Sequence, residues 1–456
     1  MLDRLRHPLV AVALALLLTV PFIVMFVTHG YHLDPASTQE DPSTNIAAGT
    51  VVLVGGIAIL GAAFLLAWAA ETAEKDVPTA FAIAVLAVLA VAPEYAVDAL
   101  YAWQAGADPG PSEAASLAVA NMTGANRILI GIGWSGIALF TIYRAKRSGD
   151  PAVEQRSTFL GDVVTLDREI ALEIAFLLAA TAFAFFVPLG GDIGILDTIV
   201  LVSLYALYIG IIIRGDVEET EEHVGVPAYF QEYPKRRRIA VVLFLFAFSG
   251  LIIFEAVEPF ASGLEELGLQ YGIPKFFMIQ WLAPLASESP ELIVVAYLVN
   301  KARSTAGFNA LISSKLNQWT LLIGTLAVVY SVAAGHIGGL PLDQKQTAEI
   351  WITAAQSFFA LAILTNFEIS AREAVTLFVL FISQVLAEFY VIQTYAEPAS
   401  TNIDILIIYA YTAVYIVLGV GLFVKRHESF RELVRRTASS VRDAMGGGTG
   451  HPERAD

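Results

Sequence analysis

Two proline–glutamate pairs offer the chemistry in this sequence. Pro93-Glu94 follows Ala92 inside the apolar run from Thr79 to Trp103, and Pro290-Glu291 follows Ser289 197 residues later. A carboxylate at membrane depth is costly, and a proline there removes an amide donor from its helix, so each pair marks a functional site by default. Each is followed, one apolar segment on, by a polar stretch: Ala120-Asn-Met-Thr-Gly-Ala-Asn-Arg127 after the first and Ile312-Ser-Ser-Lys-Leu-Asn-Gln318 after the second. Carboxylates, hydroxyls, amides and the carbonyls that proline frees, here around Leu89 and Ala286, make an all-oxygen shell. Hard cations such as Ca²⁺ and Na⁺ prefer that shell.

Spacing adds to the types. Glu94 and Asp98 are four residues apart and Glu288 and Glu291 three, so each pair shares a helical face. Set against Arg127 and Lys315, the four carboxylates leave a formal charge of −2 if all are ionised and all converge. One divalent ion or two monovalent charges would neutralise them. For each charge the competing reading is internal pairing, because buried charges find partners. Asn126 and Asn317 read as ligands or as interhelical hydrogen bonders. Ser313 and Ser314 either coordinate or bond back to their own helix. Asp98 lines an access path or faces water, and Glu255 and Glu258 suit an outer vestibule or an interfacial position. For Glu388 the sequence favours no role. Lys315 either takes the place of one transported cation or compensates Glu288.

The elements that must hold these residues are transmembrane helices. The chain has 456 residues, 56% of them hydrophobic and only 15% charged, which is a polytopic membrane composition. Twelve apolar segments are long enough to cross a bilayer: 8–27, 47–70, 79–104, 113–143, 168–187, 194–213, 238–259, 273–300, 306–333, 347–366, 371–396 and 402–424. The first reads as a retained anchor or a cleaved signal peptide, and its length and internal Pro21 favour the anchor. With the N-terminus cytoplasmic, 23 of the 27 Lys and Arg fall in cytoplasmic segments. Both termini are therefore expected inside. The 214–237 linker, with its acidic run from Glu218 to Glu222 and basic cluster from Lys235 to Arg238, reads as a solvated face plus a stop-transfer signal, and the tail from Lys425 as a basic juxtamembrane helix.

Composition also excludes. Without cysteine there is no disulfide, thiolate or iron–sulfur chemistry, and all seven histidines lie outside the long apolar runs, which leaves no intramembrane haem or zinc site and no cofactor. A net charge of −16 argues against nucleic-acid binding. The expected partners are the lipid bilayer and small cations.

In this topology the Pro93-Glu94 segment runs outward and the Pro290-Glu291 segment inward, so the two units are inverted repeats, the architecture of many secondary transporters. Pro-Glu inside a transmembrane helix, followed by Asn-x-x-Gly-Ala-Asn on the next, resembles the α-repeat of the sodium/calcium exchanger family. The resemblance covers both repeats and the ten central segments. It implies ten core helices in two inverted halves of five, 47–213 and 238–396, with an extra helix and outer loop over 1–46 and another helix plus tail over 397–456. It further implies that Glu94, Glu291, Asn121, Asn126 and Asn317 hold the ions and that Ser287 occupies a signature hydroxyl position. The sequence departs from the signature at Ala90 and Val91, which replace hydroxyl residues, at Ala120, which replaces glycine, at Glu288, which replaces serine, and at Lys315, which replaces glycine.

The function this resemblance implies is a secondary antiporter, exchanging Ca²⁺ or another cation against Na⁺ or H⁺ by alternating access. A Na⁺/H⁺ exchanger without calcium transport is the alternative, and a cation channel a further one. An intramembrane enzyme finds no His-Glu-x-x-His, cysteine or membrane histidine to support it.

Overall fold

A computed structural model of the chain describes residues 7–29, 46–73, 75–76, 92–108, 113–148, 150–214, 225–300, 302–396 and 398–445. The long apolar runs form helices because an unpaired backbone cannot be tolerated in lipid. In the first half these are α1 (Pro8–His29), α2 (Ala48–Ala73), α3 (Ala92–Ala107), α4 (Glu113–Ile128), α5 (Ser135–Ser148), α6 (Ala171–Ala184) and α7 (Ile195–Arg214). A short α8 (Val226–Gln231) leads into the second half: α9 (Lys235–Tyr271), α10 (Lys275–Asn300), α11 (Ser304–Asn317), α12 (Ile323–Ala334), α13 (Gln344–Leu364) and α14 (Ala371–Thr394). Then come α15 (Ala399–Lys425) and the amphipathic α16 (His427–Met445), whose Leu433 is buried.

Among the described residues ten helices are long and apolar enough to cross a membrane, eleven with α10, which bends by 48° between Lys275–Ser289 and Glu291–Asn300. Eleven of the twelve expected segments thus appear, and the bend falls at the proline of the second pair. The remaining segment, 79–104, is described only from Ala92 on. Leu89, Ala90, Val91, Lys301, the acidic run 218–222 and the end of the tail lie outside the described residues.

Two expectations needed correction. The segment ending at residue 259 does not stop at its Glu and Pro residues: α9 continues through Pro259 for 37 residues in all, until Gly272 closes it with a φ of 65°. Packing overrides the proline, because Phe260 lies against α2 where a Cβ on Gly55 would meet it at 3.2 Å. The extension also has work for its acids, since Glu265 takes Lys275 at 3.0 Å and the Tyr101 hydroxyl at 2.9 Å. The second correction concerns the helices after the proline–glutamate pairs. Neither is a plain α-helix: a π-helical turn, Leu129–Trp134, joins α4 to α5, and another, Gln318–Leu322, joins α11 to α12.

Two small sheets lace the halves together. β1 (Val153–Glu154), β2 (Val163–Thr165) and β5 (Glu368–Ser370) form one, with Val164 opposite Ile369, while β3 (Asp192–Ile193) pairs with β4 (Leu340–Pro341) in the other. Capping boxes at Asp343/Gln346 and Ser370/Glu373 fix the starts of α13 and α14.

Candidate functional site

The start of α3 and the bent α10 pack against one another within the helix bundle. Glu94 lies in the first turn of α3 and is 3% exposed, and Asp98, one turn on, is fully buried. α10 supplies Ser287, Glu288 and Glu291 around its bend. The helix following each pair then turns polar side chains toward these carboxylates. From α4, Asn121 donates its amide to Asp98 at 2.9 Å. From α11 the Ser314 hydroxyl donates to Glu291 at 2.9 Å, and from the π turn that follows Gln318 donates to Glu288. The Ser287 hydroxyl, which donates to the Pro284 carbonyl at 3.4 Å, lies beside Glu94 across the halves. Glu94, Glu288 and Glu291 lie within electrostatic range of one another.

Close helix approach makes this convergence possible. A Cβ on Gly124, in the middle of the Asn-Met-Thr-Gly-Ala-Asn stretch, would stand 1.8 Å from the carbonyl oxygen of Gln280 on α10. Only glycine permits that spacing. Gly131 in the first π turn is similar, because a Cβ there would fall 2.3 Å from the Phe381 ring.

The cations are placed differently from the simplest expectation. Lys315, fully buried, donates from Nζ to the side-chain oxygen of Asn126 at 2.6 Å and to its backbone carbonyl at 2.9 Å, and it lies 5.0 Å from the centroid of the Trp319 ring. Among the described residues it makes no ion pair, so it is not a salt-bridge partner held by Glu288, although Glu288 is within electrostatic range. Arg127 turns away from the central carboxylates altogether. It pairs with Glu349 of α13 at 2.8 Å and lies 4.9 Å from the Trp281 ring. The expected balance of four carboxylates against two cations is therefore four against one, a formal charge of −3 if all are ionised.

Of the expected site residues, Glu94, Asp98, Asn121, Asn126, Ser287, Glu288, Glu291 and Lys315 come together here, and Asn317 is buried beside them in α11. Ser313 does not join: it is exposed on the other side of α11, beside Tyr208. Its neighbour Ser314 takes that place. Asp98 is held by Asn121 in the interior rather than facing water. Glu255 and Glu258 line a separate crevice of about 970 Å³ between α1, α3 and α9. Gln318 is a contact that type and spacing did not single out, although it closes the polar run that contains Lys315 and Asn317.

Chemically the arrangement is a buried set of acidic, amide and hydroxyl oxygens with one resident ammonium. No three of the described acids or histidines converge as a ready metal shell. An ion bound here would complete its shell with amide and hydroxyl oxygens, and charge not met by an ion must be met by protons.

The family model described as sodium/calcium exchanger protein matches residues 46–214 and 241–390. Among solved structures, that of an H⁺/Ca²⁺ exchanger, CAX, is 42% identical, with 95% of this chain and 98% of that one aligned and a TM-score of 0.81. The structure of the Ca²⁺/H⁺ antiporter protein YfkE, 13% identical over 83% of this chain and 98% of that one with a TM-score of 0.56, shares the fold. No curated protein sequence matches the chain.

Proposed function

The chain belongs to the sodium/calcium exchanger family and is a multi-pass cation/calcium antiporter, and from that premise we propose that it exchanges Ca²⁺ for H⁺ at the central carboxylates. The observation that carries this reading is the four-to-one ratio of carboxylates, Glu94, Asp98 and Glu288 buried and Glu291 partly buried, to the single buried ammonium. Glu94, Glu288, Glu291 and Asp98 hold protons in one state and release them to a divalent cation in the other, with Ser287, Ser314, Asn121 and Asn317 completing the oxygen shell. Lys315 occupies the Asn126 oxygens and stands where one further cation would otherwise bind. Ala90 and Val91, in place of the signature hydroxyls, remove oxygens that sodium sites require. The 42% identical structure being that of an H⁺/Ca²⁺ exchanger supports the same coupling. Cations reach the site alternately from the two faces as the halves rearrange around the bend of α10 and the start of α3. Both termini lie on the cytoplasmic side in this reading.

The deciding experiment is flux in proteoliposomes under imposed gradients. Ca²⁺ uptake is expected when a pH gradient is imposed and not when a Na⁺ gradient alone is imposed. Uptake driven by Na⁺ would reassign the coupling ion, and Na⁺/H⁺ exchange with no Ca²⁺ movement would remove calcium as cargo. Glu94→Gln and Glu291→Gln are each expected to bring flux to the level of empty liposomes. Normal transport by either would remove that residue from the site.

A further inference from the structure

A second cluster of buried charges lies beside the central one and is built mainly from α13, α14 and α15. Glu349, fully buried, takes Arg127 at 2.8 Å and the amide of Gln280 at 2.8 Å. Lys345, at the half-buried outer edge of the cluster, pairs with Asp404 at 2.8 Å, and Asp404 is 2% exposed. Glu388 is also 2% exposed, yet its one hydrogen bond among the described residues comes from Gln384, and no cation touches it. The groups within electrostatic range of Glu388 are Glu349 and Lys345 of α13, Asp404 of α15 and Arg127 of α4, with the buried Tyr415 facing Arg127.

The charges do not balance. Three carboxylates, Glu349, Glu388 and Asp404, face two cations, Arg127 and Lys345, which leaves −1 in the interior. Buried charge without a counterion is not tolerated at such depth. The hydrogen-bond inventory lacks a donor in the same place: Glu349 Oε1, Asp404 Oδ1 and Gln384 Oε1 are buried acceptors with no partner. One proton removes the excess charge and supplies one of the missing donors, because a protonated carboxyl is neutral and donates. A metal ion fits less well, since no three acids here converge as a shell.

We propose that this cluster is a second proton-binding site, in which Glu388 holds one exchangeable proton apart from the ions bound at Glu94 and Glu291. A hydronium ion gives its proton to a Glu388 carboxylate oxygen and leaves as water, and the new O–H donates to Glu349 Oε1 or Asp404 Oδ1. Glu349 and Asp404 each lie five residues from the start of their helices and Glu388 six from the end of its own, about 8 Å below the face bordered by the 335–343 loop and the end of α14 at 1.5 Å per residue. The proton is exchanged with that face. Asn126 holds Lys315 while the next residue, Arg127, holds Glu349, so the central site senses the charge at Glu388 through a single turn of α4.

Infrared spectroscopy of the purified protein tests this through the carbonyl stretch of protonated carboxyl groups. Glu388→Gln is expected to lose one protonated-carboxyl equivalent. Asp404→Asn should lose the same one although Glu388 remains, because two carboxylates then match two cations. Lys345→Gln should gain a second, with three carboxylates facing one cation. Glu94→Gln, altered only in the central site, should keep the Glu388 band whatever the cargo proves to be. Gel filtration confirms which variants fold, and any one of the three cluster variants suffices. An unchanged band in a folded variant among Glu388→Gln, Asp404→Asn or Lys345→Gln overturns the proposal.

Discussion

Lys315 is where this chain departs most informatively from its repeat signature. Glycine at that position, as at Gly124 in the first repeat, serves close helix packing, whereas here an ammonium reaches across to both oxygens of Asn126. Those oxygens are therefore withdrawn from any mobile ion, and hydrogen bonds to a charged group are worth about 1.5–3 kcal/mol each. Replacing Lys315 with glycine returns the oxygens and removes one positive charge from the cluster. The variant is expected to carry one additional proton per Ca²⁺, read as a shift in the reversal potential of flux in proteoliposomes; an unchanged ratio would mean that the ammonium does not stand in for an ion. The importance of Lys315 was legible in the sequence, since a charge inside an apolar run is visible by type alone. Its partner was not. Asn126 lies 189 residues away, and Arg127 finds Glu349 across 222, so neither pairing leaves a trace in local spacing. Ser313 and Ser314 failed for a different reason. Both lie within one turn of Asn317, so helical periodicity permits either, and only packing against α10 selects Ser314.

At the scale of elements, the site depends on how nearly α4 and α10 touch. Gly124→Ala places a methyl group 1.8 Å from a backbone oxygen that no rotamer change can move, so the helices must part. Overpacking of this kind costs about 1–3 kcal/mol, and transport should fall with it. Gly136→Ala is the matched comparison, because a Cβ there meets nothing within 4 Å, and it should melt no lower than the parent. Thermal unfolding in detergent measures both. The existence and order of the helices were readable from hydropathy, and the bend of α10 from its proline. The two π turns were not, because a single extra residue in a helical turn leaves the apolar pattern almost intact. Away from the site, Asp76 joins the end of α2 to α9 through two bonds to Arg238 at 2.5 and 2.6 Å. The hydrogen bond from Arg238 holds the Asp76 carboxyl below its ordinary range. A carboxylate depressed in the folded state stabilises above its unfolded value, and that stability is lost as pH falls through the folded one. The melting temperature should therefore drop on acidification below the usual carboxylate range, and Asp76→Asn should flatten that drop while costing about 1 kcal/mol at neutral pH.

At the scale of the whole molecule, the two small sheets reveal a symmetry that hydropathy could not register, since each strand is only two or three residues long. β2 precedes α6 and pairs with β5, which precedes α14. β3 follows α6 and pairs with β4, which precedes α13. Under the inverted repeat, α6 corresponds to α13 and α7 to α14, so the operation that exchanges the halves also exchanges the two sheets. Both therefore make the same tie, at opposite faces, between α6–α7 and α13–α14. If alternating access moves the remaining helices past these four, the ties are fixed parts of the cycle rather than gates. The absence of native cysteine makes the point testable with an engineered disulfide. Thr165 and Glu368 are direct partners across the antiparallel β2–β5 pair, where Cα atoms stand about 4.5–5.5 Å apart, within the range a disulfide spans. Glu368 gives up only peripheral contacts, to Arg156 at 3.6 Å and to the Asn366 amide at 3.3 Å. Oxidation of the Thr165→Cys, Glu368→Cys double variant should leave the flux rate within about twofold of its reduced form and raise its melting temperature, as loop closure between distant residues stabilises by about 2–4 kcal/mol. Loss of flux on oxidation, restored by reductant, would show instead that this sheet opens during transport and that the four helices do not move as one body.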